Sequence, residues 1–308
     1  MYRILFISIL AITTLFSCRP TVKEEVVTVD PPAVTMPDSN IAPTLTRLWG
    51  TEAKLTTAES VLYDSAANLI YVSCVGGVPA DKKDGDGFIA KVSMDGKIIE
   101  LKWVTGLNAP KGMGRMKETL YVADIDRIVA IDVNTGKISN TWKVSGASLL
   151  NDIATTDRGV LYFTDSNKST VYKLTNGKVS LMLTDTTLQG TNGLFVDGNN
   201  LLIAGDGQTV AIDTTGLNVK KIAEGIPAGD GIERYYDGIF QSSWNGEVFY
   251  IDAAGKVTKV LDTKDVKLNT ADIDVVENKN LLLVPTFFGN SLTAYTISVK
   301  REGEEVRE

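Results

Sequence analysis

Short runs of apolar residues recur along the chain from about residue 44 onward, and polar or glycine-containing turns separate them. The second run of each repeat is the clearest, and successive runs begin 51, 41, 40, 38 and 43 residues apart. Their first residues are Leu69, Leu120, Leu161, Leu201, Ile239 and Leu282. Short apolar runs bounded by turns predict β-strands. A period of about 40 residues with short strands predicts the blades of a propeller.

Glycine turns such as Asn134-Thr135-Gly136-Lys137 and Thr175-Asn176-Gly177-Lys178 follow these strands. Glycine is favoured there because many hairpin turns need a positive φ. No window beyond the first residues shows an apolar stripe with a 3.6-residue period, so we expect little helix. The pattern therefore predicts an all-β fold, a six-bladed β-propeller of four-stranded antiparallel blades over residues 44–300.

The last repeat, residues 271–299, has room for only three strands. We expect the apolar segment Thr44–Trp49 to supply the fourth and to close the ring, which removes exposed sheet edges. A five- or seven-bladed ring is the alternative, because the 51-residue step has room for extra structure. We interpret the excess as one long loop, Gly76–Gly87.

The first residues resemble an export signal and not part of a folded domain. Residues 1–17 hold one charge and a short apolar run that ends at Leu15-Phe16-Ser17-Cys18. This ending resembles the lipobox of bacterial lipoproteins, with Phe16 larger than the usual residue, and it implies lipidation of Cys18. An ordinary secretory signal is the alternative. We expect a Pro-rich tether at 18–43, a polar tail at 301–308, and a lipid anchor in a Gram-negative cell envelope, facing the periplasm or the cell surface.

Composition narrows the possible chemistry. The 308 residues include 31 Lys and Arg against 38 Asp and Glu, which gives a net charge of −7. Such a chain lacks the positive field that nucleic acids require, so no nucleic-acid partner is expected. The absence of histidine from the sequence excludes imidazole bases and imidazole metal sites. Chemistry must then depend on carboxylates, amides, hydroxyls, lysines or a bound ion.

The turns that open the repeats contain polar residues at corresponding places, including Glu59, Asn151, Asn192 and Asp230. Their succession resembles the SMP-30/gluconolactonase family of six-bladed propellers, over residues 50–298. The resemblance implies that Glu59, Asn192 and Asp230 bind a divalent cation, commonly calcium. It also implies that Asp230 activates water and that Asn151 contacts the substrate, or the ion through a water molecule.

One departure from the family concerns substrate choice. Family hydrolases often place a substrate-binding Arg two residues before the third-blade Asn, and here that residue is Leu149. The sugar-lactone preference of the family is therefore not carried over to this chain. Lys111, which opens the second blade, is a further candidate for binding an anionic ligand, although a surface turn is the simpler interpretation.

Physical chemistry permits the implied reaction. Calcium takes carboxylate and amide oxygens without imidazole, and such a cation polarises an ester carbonyl while a carboxylate accepts a proton from water. We therefore predict a calcium-dependent lactonase or esterase that is a monomer. The alternative is a non-catalytic, lipid-anchored propeller resembling NHL domains, which binds a protein, peptide or glycan. Asn and Asp are also common in turns for structural reasons.

Overall fold

The computed structural model describes residues 41–299, which form six four-stranded sheets. Blade 1 contains β2 (Ala58–Asp64), β3 (Leu69–Cys74), β4 (Gly87–Ser93) and β5 (Ile98–Leu107). Blade 2 contains β6 (Pro110–Met116), β7 (Thr119–Asp124), β8 (Arg127–Asp132) and β9 (Ile138–Lys143). Blade 3 contains β10 (Leu150–Thr155), β11 (Val160–Asp165), β12 (Thr170–Thr175) and β13 (Lys178–Thr184).

The other three blades follow the same plan. Blade 4 contains β14 (Leu194–Asp197), β15 (Asn200–Ala204), β16 (Gln208–Asp213) and β17 (Val219–Glu224). Blade 5 contains β18 (Gly229–Tyr235), β19 (Gly238–Ser243), β20 (Glu247–Ile251) and β21 (Val257–Asp262). Blade 6 contains β22 (Asp274–Val276), β23 (Leu281–Thr286), β24 (Ser291–Ser298) and β1 (Thr44–Gly50). The described helices are three-residue 3-10 turns at Thr186–Leu188, Lys264–Val266 and Glu277–Lys279.

Six antiparallel blades confirm the predicted fold class. Each of the six predicted second strands coincides with the second strand of a blade. The connection between β3 and β4 contains no further strand, so the 51-residue step is one long loop as expected. The five- and seven-bladed alternatives are therefore wrong. The predicted signal at 1–17 and polar tail at 301–308 lie outside the described residues, as do Cys18 and most of the expected tether at 18–43.

The ring closes through the first strand. β1 pairs antiparallel with β24, from Thr44 opposite Ser298 to Gly50 opposite Thr293. The inner strands β2, β6, β10, β14, β18 and β22 contact one another in chain order, and β22 contacts β2. The two ends of the propeller are thus hydrogen-bonded within one sheet, as the three-strand count of the last repeat predicted.

The core lies between neighbouring blades. Second and third strands are buried on both faces, and apolar side chains such as Leu120, Phe163 and Phe240 are fully enclosed there. Outer strands are more exposed, as in β9, where only Trp142 is partly buried. Burial on both faces explains why the second strands are continuously apolar instead of alternating. Within residues 41–299, no helix has the length and apolarity needed to cross a membrane.

Candidate functional site

The inner strands deviate from regular pairing close to where they begin. Register shifts of the β-bulge type occur at Ala58/Ser60, Pro110/Met113, Leu150/Ile153 and Gly229/Ile232. A bulge leaves a residue outside the ladder and redirects its side chain. Four of the predicted site residues, Glu59, Lys111, Asn151 and Asp230, lie within these bulges. The local fold therefore sets these side chains apart from the regular alternation of their strands.

Five polar residues thus occupy corresponding places where successive inner strands begin, at one end of the central channel. We call Glu59, Lys111, Asn151, Asn192 and Asp230 the polar ring. In blade 4, the Asn192 N–H donates to the Ala204 carbonyl, 2.9 Å away, just before β14. Four members of the ring are buried, with exposures of 3% for Glu59, 5% for Lys111 and 2% for Asp230, and Asn192 is half-buried. All five candidate residues predicted from the propeller sequence therefore lie at the same end of the channel.

A buried ion pair joins blades 1 and 2 in this ring. The Lys111 Nζ donates to Glu59 Oε1 at 3.2 Å. Burial raises the pKa of Glu59 above its usual value, while the charge of Lys111 and its hydrogen bond lower it. Lys111 was a candidate for binding an anionic ligand from solvent, and a surface turn was the simpler interpretation. The structure contradicts the surface interpretation, because the side chain is buried against a carboxylate.

Three oxygens of the polar ring lack hydrogen-bond partners among the described residues. They are Glu59 Oε2, Asn192 Oδ1 and Asp230 Oδ1, and each is buried. These atoms belong to the three residues predicted to bind a cation. Carboxylate and amide oxygens are the donors that calcium prefers. Buried oxygens without partners are costly unless a ligand or water satisfies them, so this donor set fits a hard divalent cation.

The donor set has one restriction. Residues 41–299 contain no group of three or more His, Cys, Asp or Glu side chains placed to hold a metal ion. A cation in the polar ring would therefore need the amide oxygen of Asn192 beside the two carboxylates. The positive charge of Lys111 already offsets the negative charge of Glu59. This pairing weakens the electrostatic attraction of the ring for a cation.

Asp230 has the most strongly perturbed environment of the ring. Burial raises its pKa well above the usual value, the negative charge of Glu59 raises it further, and Lys111 lowers it. The backbone carbonyl of Asp230 accepts a hydrogen bond from the Gly193 N–H at 2.8 Å, which links blades 4 and 5. A carboxylate with a raised pKa is a stronger proton acceptor once it is ionised.

Asn151 is fixed on blade 3. Its Nδ2 donates to Ser166 Oγ at 3.0 Å, which orients the amide. The side chain is 7% exposed. The structure therefore places the predicted substrate-binding amide in the ring, with its nitrogen committed to the protein.

A second tier of acidic residues follows the ring, and no pattern in the sequence predicted it. The Asp152 carboxylate accepts hydrogen bonds from the N–H groups of Ile153 at 2.6 Å and Leu194 at 2.5 Å. Burial raises the pKa of Asp152 to about 7. Asp272 Oδ2 accepts a hydrogen bond from Ser60 Oγ at 2.6 Å, and burial raises its pKa well above the usual value.

Glycines make room for this tier. A Cβ on Gly112 would lie 2.3 Å from Asp152 Oδ1, and one on Gly231 would lie 2.6 Å from Asp272 Oδ1. In sequence, Gly112, Gly193 and Gly231 each directly follow a ring residue. This repeated glycine is the signal that could have revealed the second tier, because a missing side chain in one blade leaves space for a carboxylate from the next.

Solved structures with a similar architecture align with most of the chain. A putative gluconolactonase superposes with a TM-score of 0.62 at 17% identity, covering 84% of this chain and 95% of its own. The chain shares the fold of this protein. Virginiamycin B lyase from Staphylococcus aureus, in complex with quinupristin, has a TM-score of 0.59 at 13% identity and covers 83% of this chain and 99% of its own.

A structure of a nidogen/laminin complex has a TM-score of 0.55 at 18% identity, covering 66% of this chain and 79% of that one. No protein-family model and no curated protein sequence matches the chain. The likenesses therefore confirm the propeller fold that the resemblance implied, and this fold is shared by a putative lactonase and a lyase. Fold alone does not assign a reaction, so the function must be argued from the site.

Proposed function

We propose that the protein is a divalent-cation-dependent hydrolase of the gluconolactonase type, which cleaves a lactone or ester at the polar ring. The observation that carries this proposal is the set of three buried oxygens without partners, on Glu59, Asn192 and Asp230. Their hard donor atoms favour calcium. The fold is compatible with this class of reaction, because a putative gluconolactonase shares it.

Glu59, Asn192 and Asp230 would hold the cation. When bound, such a cation polarises a carbonyl group and stabilises negative charge on its oxygen. Asp230 accepts a proton from water as the water oxygen bonds to the carbonyl carbon. The carbon–oxygen bond of the ester or lactone then breaks, and the proton passes to the leaving alkoxide oxygen, so that one water is consumed and an acid and an alcohol are formed.

Two further residues act on charge and position in this proposal. Lys111 holds a fixed positive charge 3.2 Å from Glu59, which offsets the negative charge of the ring and of a carboxylate product. Asn151, held by Ser166, presents a polar group with little freedom to reorient. Preorganised groups of this kind stabilise a transition state without a reorganisation cost.

A calcium titration followed by thermal unfolding tests the cation. At a calcium concentration 100 times the Kd, binding stabilises the folded state by about 2.7 kcal/mol, which raises the Tm by about 5–10 °C for a domain of this size. Glu59→Gln and Asp230→Asn should lose this shift, whereas Glu52→Gln, a control at an exposed carboxylate, should keep it.

A panel of aryl esters and lactones tests the reaction on the same variants. We expect Asp230→Asn to abolish turnover and chelation to suppress it in the wild type. A Tm indifferent to calcium and to chelator, together with no turnover of any substrate, would contradict the proposal.

The second candidate is a non-catalytic propeller that binds a protein, peptide or glycan. The Lys111–Glu59 pair favours it, because this pair already neutralises one of the proposed cation ligands. In that case, the same titration would show no calcium shift. Attachment through a lipid on Cys18 is compatible with either candidate and stays a prediction, which mass spectrometry of the membrane-extracted protein would test.

A further inference from the structure

An apolar cluster lies at the same end of the propeller as the polar ring. Blades 5, 6, 1 and 2 contribute its members, which are Trp244, Phe287, Val75, Ala80, Ala109 and Ile125. We call this cluster the apolar cap. Its residues lie in connections between second and third strands, or directly before an inner strand. Inner strands begin at this end and antiparallel second strands return to it, so the apolar cap shares the face of the polar ring.

The origin of the cap residues places them close to the central axis. Blades 5, 6, 1 and 2 are four consecutive sectors of a six-sector ring. Side chains from so wide an arc meet in one cluster only where the sectors converge. The cap also joins the polar ring in sequence, since Ala109 precedes Lys111 by two residues and is 1% exposed. A buried apolar residue of the cap thus lies two positions along the chain from the lysine of the buried ion pair.

The cap extends into an aromatic surface that solvent reaches. The ring of Phe287 lies 4.8 Å from that of Trp244 and 5.0 Å from that of Phe288, measured between centroids. Phe288 is 56% exposed, although Phe287 beside it is buried. Trp244 is partly buried. The exposed ring of Phe288 is continuous with the buried apolar cap. An apolar ligand could therefore contact both the exposed ring and the cap beside it.

Other groups of this face include both apolar and charged side chains. Leu149, partly buried, stands before Asn151 in blade 3, opposite blade 6 across the ring. The loop between β3 and β4 carries two lysines, but Lys82 pairs with Asp84 at 2.8 Å and Lys83 with Asp126 at 2.7 Å. These are surface pairs, so charged side chains lie at the rim beside the aromatic surface.

We infer that the hydrolase acts on esters or lactones with an alkyl or aryl substituent, which packs on Phe288 and Trp244 while the carbonyl group reaches the polar ring. This inference rests on the proposed function, since it names the substrate class of that site. It makes Phe288 a specificity-determining residue. Burial of each CH₂ group contributes about a fourfold gain in affinity at full burial.

Binding of γ-lactams tests the inference separately from turnover, because lactams keep the shape of a lactone and resist hydrolysis. Unsubstituted, butyl and hexyl γ-lactams would be titrated by calorimetry, with calcium present. We expect the Kd to fall about twofold to fourfold for each CH₂ added. Phe288→Ser should reduce this gain to less than twofold over the series. Leu181→Ser, at another exposed apolar side chain far out on β13, is the matched control and should leave the gain unchanged.

The outcomes separate the inference from the proposed function. A Kd independent of chain length, no binding of any lactam, or a Phe288→Ser variant that behaves like wild type would overturn the inference. Chain-length-dependent binding without turnover of any alkyl lactone would support the apolar site and contradict the hydrolase. Turnover of glucono-lactone without preference for alkyl lactones would do the reverse.

Discussion

Replacement of Lys111 by methionine tests whether the polar ring depends on its one basic residue. Methionine keeps the length and apolar stem of the side chain but removes the ammonium group. In the variant, Glu59 would face the carboxyl groups of Asp230 and Asp152 without a compensating charge. The negative charges of Glu59 and Asp152 raise the pKa of Asp230, and the positive charge of Lys111 lowers it.

The magnitude follows from the separation and the burial. At 3.2 Å and an effective dielectric constant of about 20, the Coulomb attraction of the pair is about 5 kcal/mol, part of which offsets desolvation. The side chains are only 6% and 4% exposed, so solvent screens them little. Removing one partner of a buried pair costs about 3–5 kcal/mol, which we expect for Lys111→Met.

The polar ring contains more acidic than basic groups, so we expect the two single substitutions to reduce stability by different amounts. Glu59→Gln leaves Lys111 with Asp230 as an acidic neighbour, so we expect a smaller loss of about 1–2 kcal/mol. The free energy of unfolding of the double variant should be closer to that of Glu59→Gln than to that of Lys111→Met, because the double variant no longer has the unpaired Glu59 carboxylate. A double-mutant cycle measures this coupling.

Urea unfolding followed by tryptophan fluorescence, in calcium-free buffer with chelator, gives the free energy of unfolding of each variant. Lys82→Met serves as the control, since its partner Asp84 and the lysine form a surface pair worth at most about 1 kcal/mol. A loss below about 1 kcal/mol for Lys111→Met, or a larger loss for Glu59→Gln, would refute the reasoning about the ring.

Two further predictions concern the channel. Gly193→Ala should lower stability by about 2–4 kcal/mol and abolish calcium binding, because its Cβ would lie 2.0 Å from the Asp230 carbonyl oxygen; Gly77→Ala, with nothing nearer than 3.8 Å, should unfold like wild type. Burial raises the pKa of Asp274 from 3.8 to about 6. Asp274 therefore binds a proton more tightly in the folded protein than in the unfolded chain, and the wild type loses stability as the pH rises from about 4 to 6. As the pH rises from 4 to 7, the free energy of unfolding of Asp274→Asn, measured in urea, should therefore increase by about 1–3 kcal/mol relative to that of the wild type. The same pH dependence in both proteins would contradict a raised pKa for Asp274.

Repetition made the fold predictable from the sequence. Each blade encodes its strands locally, so the anchors from Leu69 to Leu282 predicted the second strands without knowledge of tertiary contacts. Closure by β1 followed from counting three strands in the last repeat. Both inferences rest on the same physical need, since an incomplete ring would leave strand edges and apolar faces in water.

The site was only partly predictable, because bulges break the alternation that sequence reasoning assumes. In a regular strand, neighbouring side chains point to opposite faces, so Asp152 would point away from Asn151. The register shift between Leu150 and Ile153 removes that constraint. The Asp152 carboxylate reaches the Leu194 N–H of the next blade instead. The second acidic tier therefore follows from a backbone irregularity that no local pattern of polarity indicates.

The apolar cap shows the same limit on a larger scale. Trp244 and Phe287 lie in ordinary short turns 43 residues apart, and nothing near either residue indicates that their rings meet at 4.8 Å. Only closure of the ring brings turns of four blades to one axis. The repeats thus fix polar residues at corresponding places on the inner strands, while the turns between second and third strands vary without that constraint. Chemistry and specificity are consequently set by different segments, and Phe288 can change without altering the polar ring.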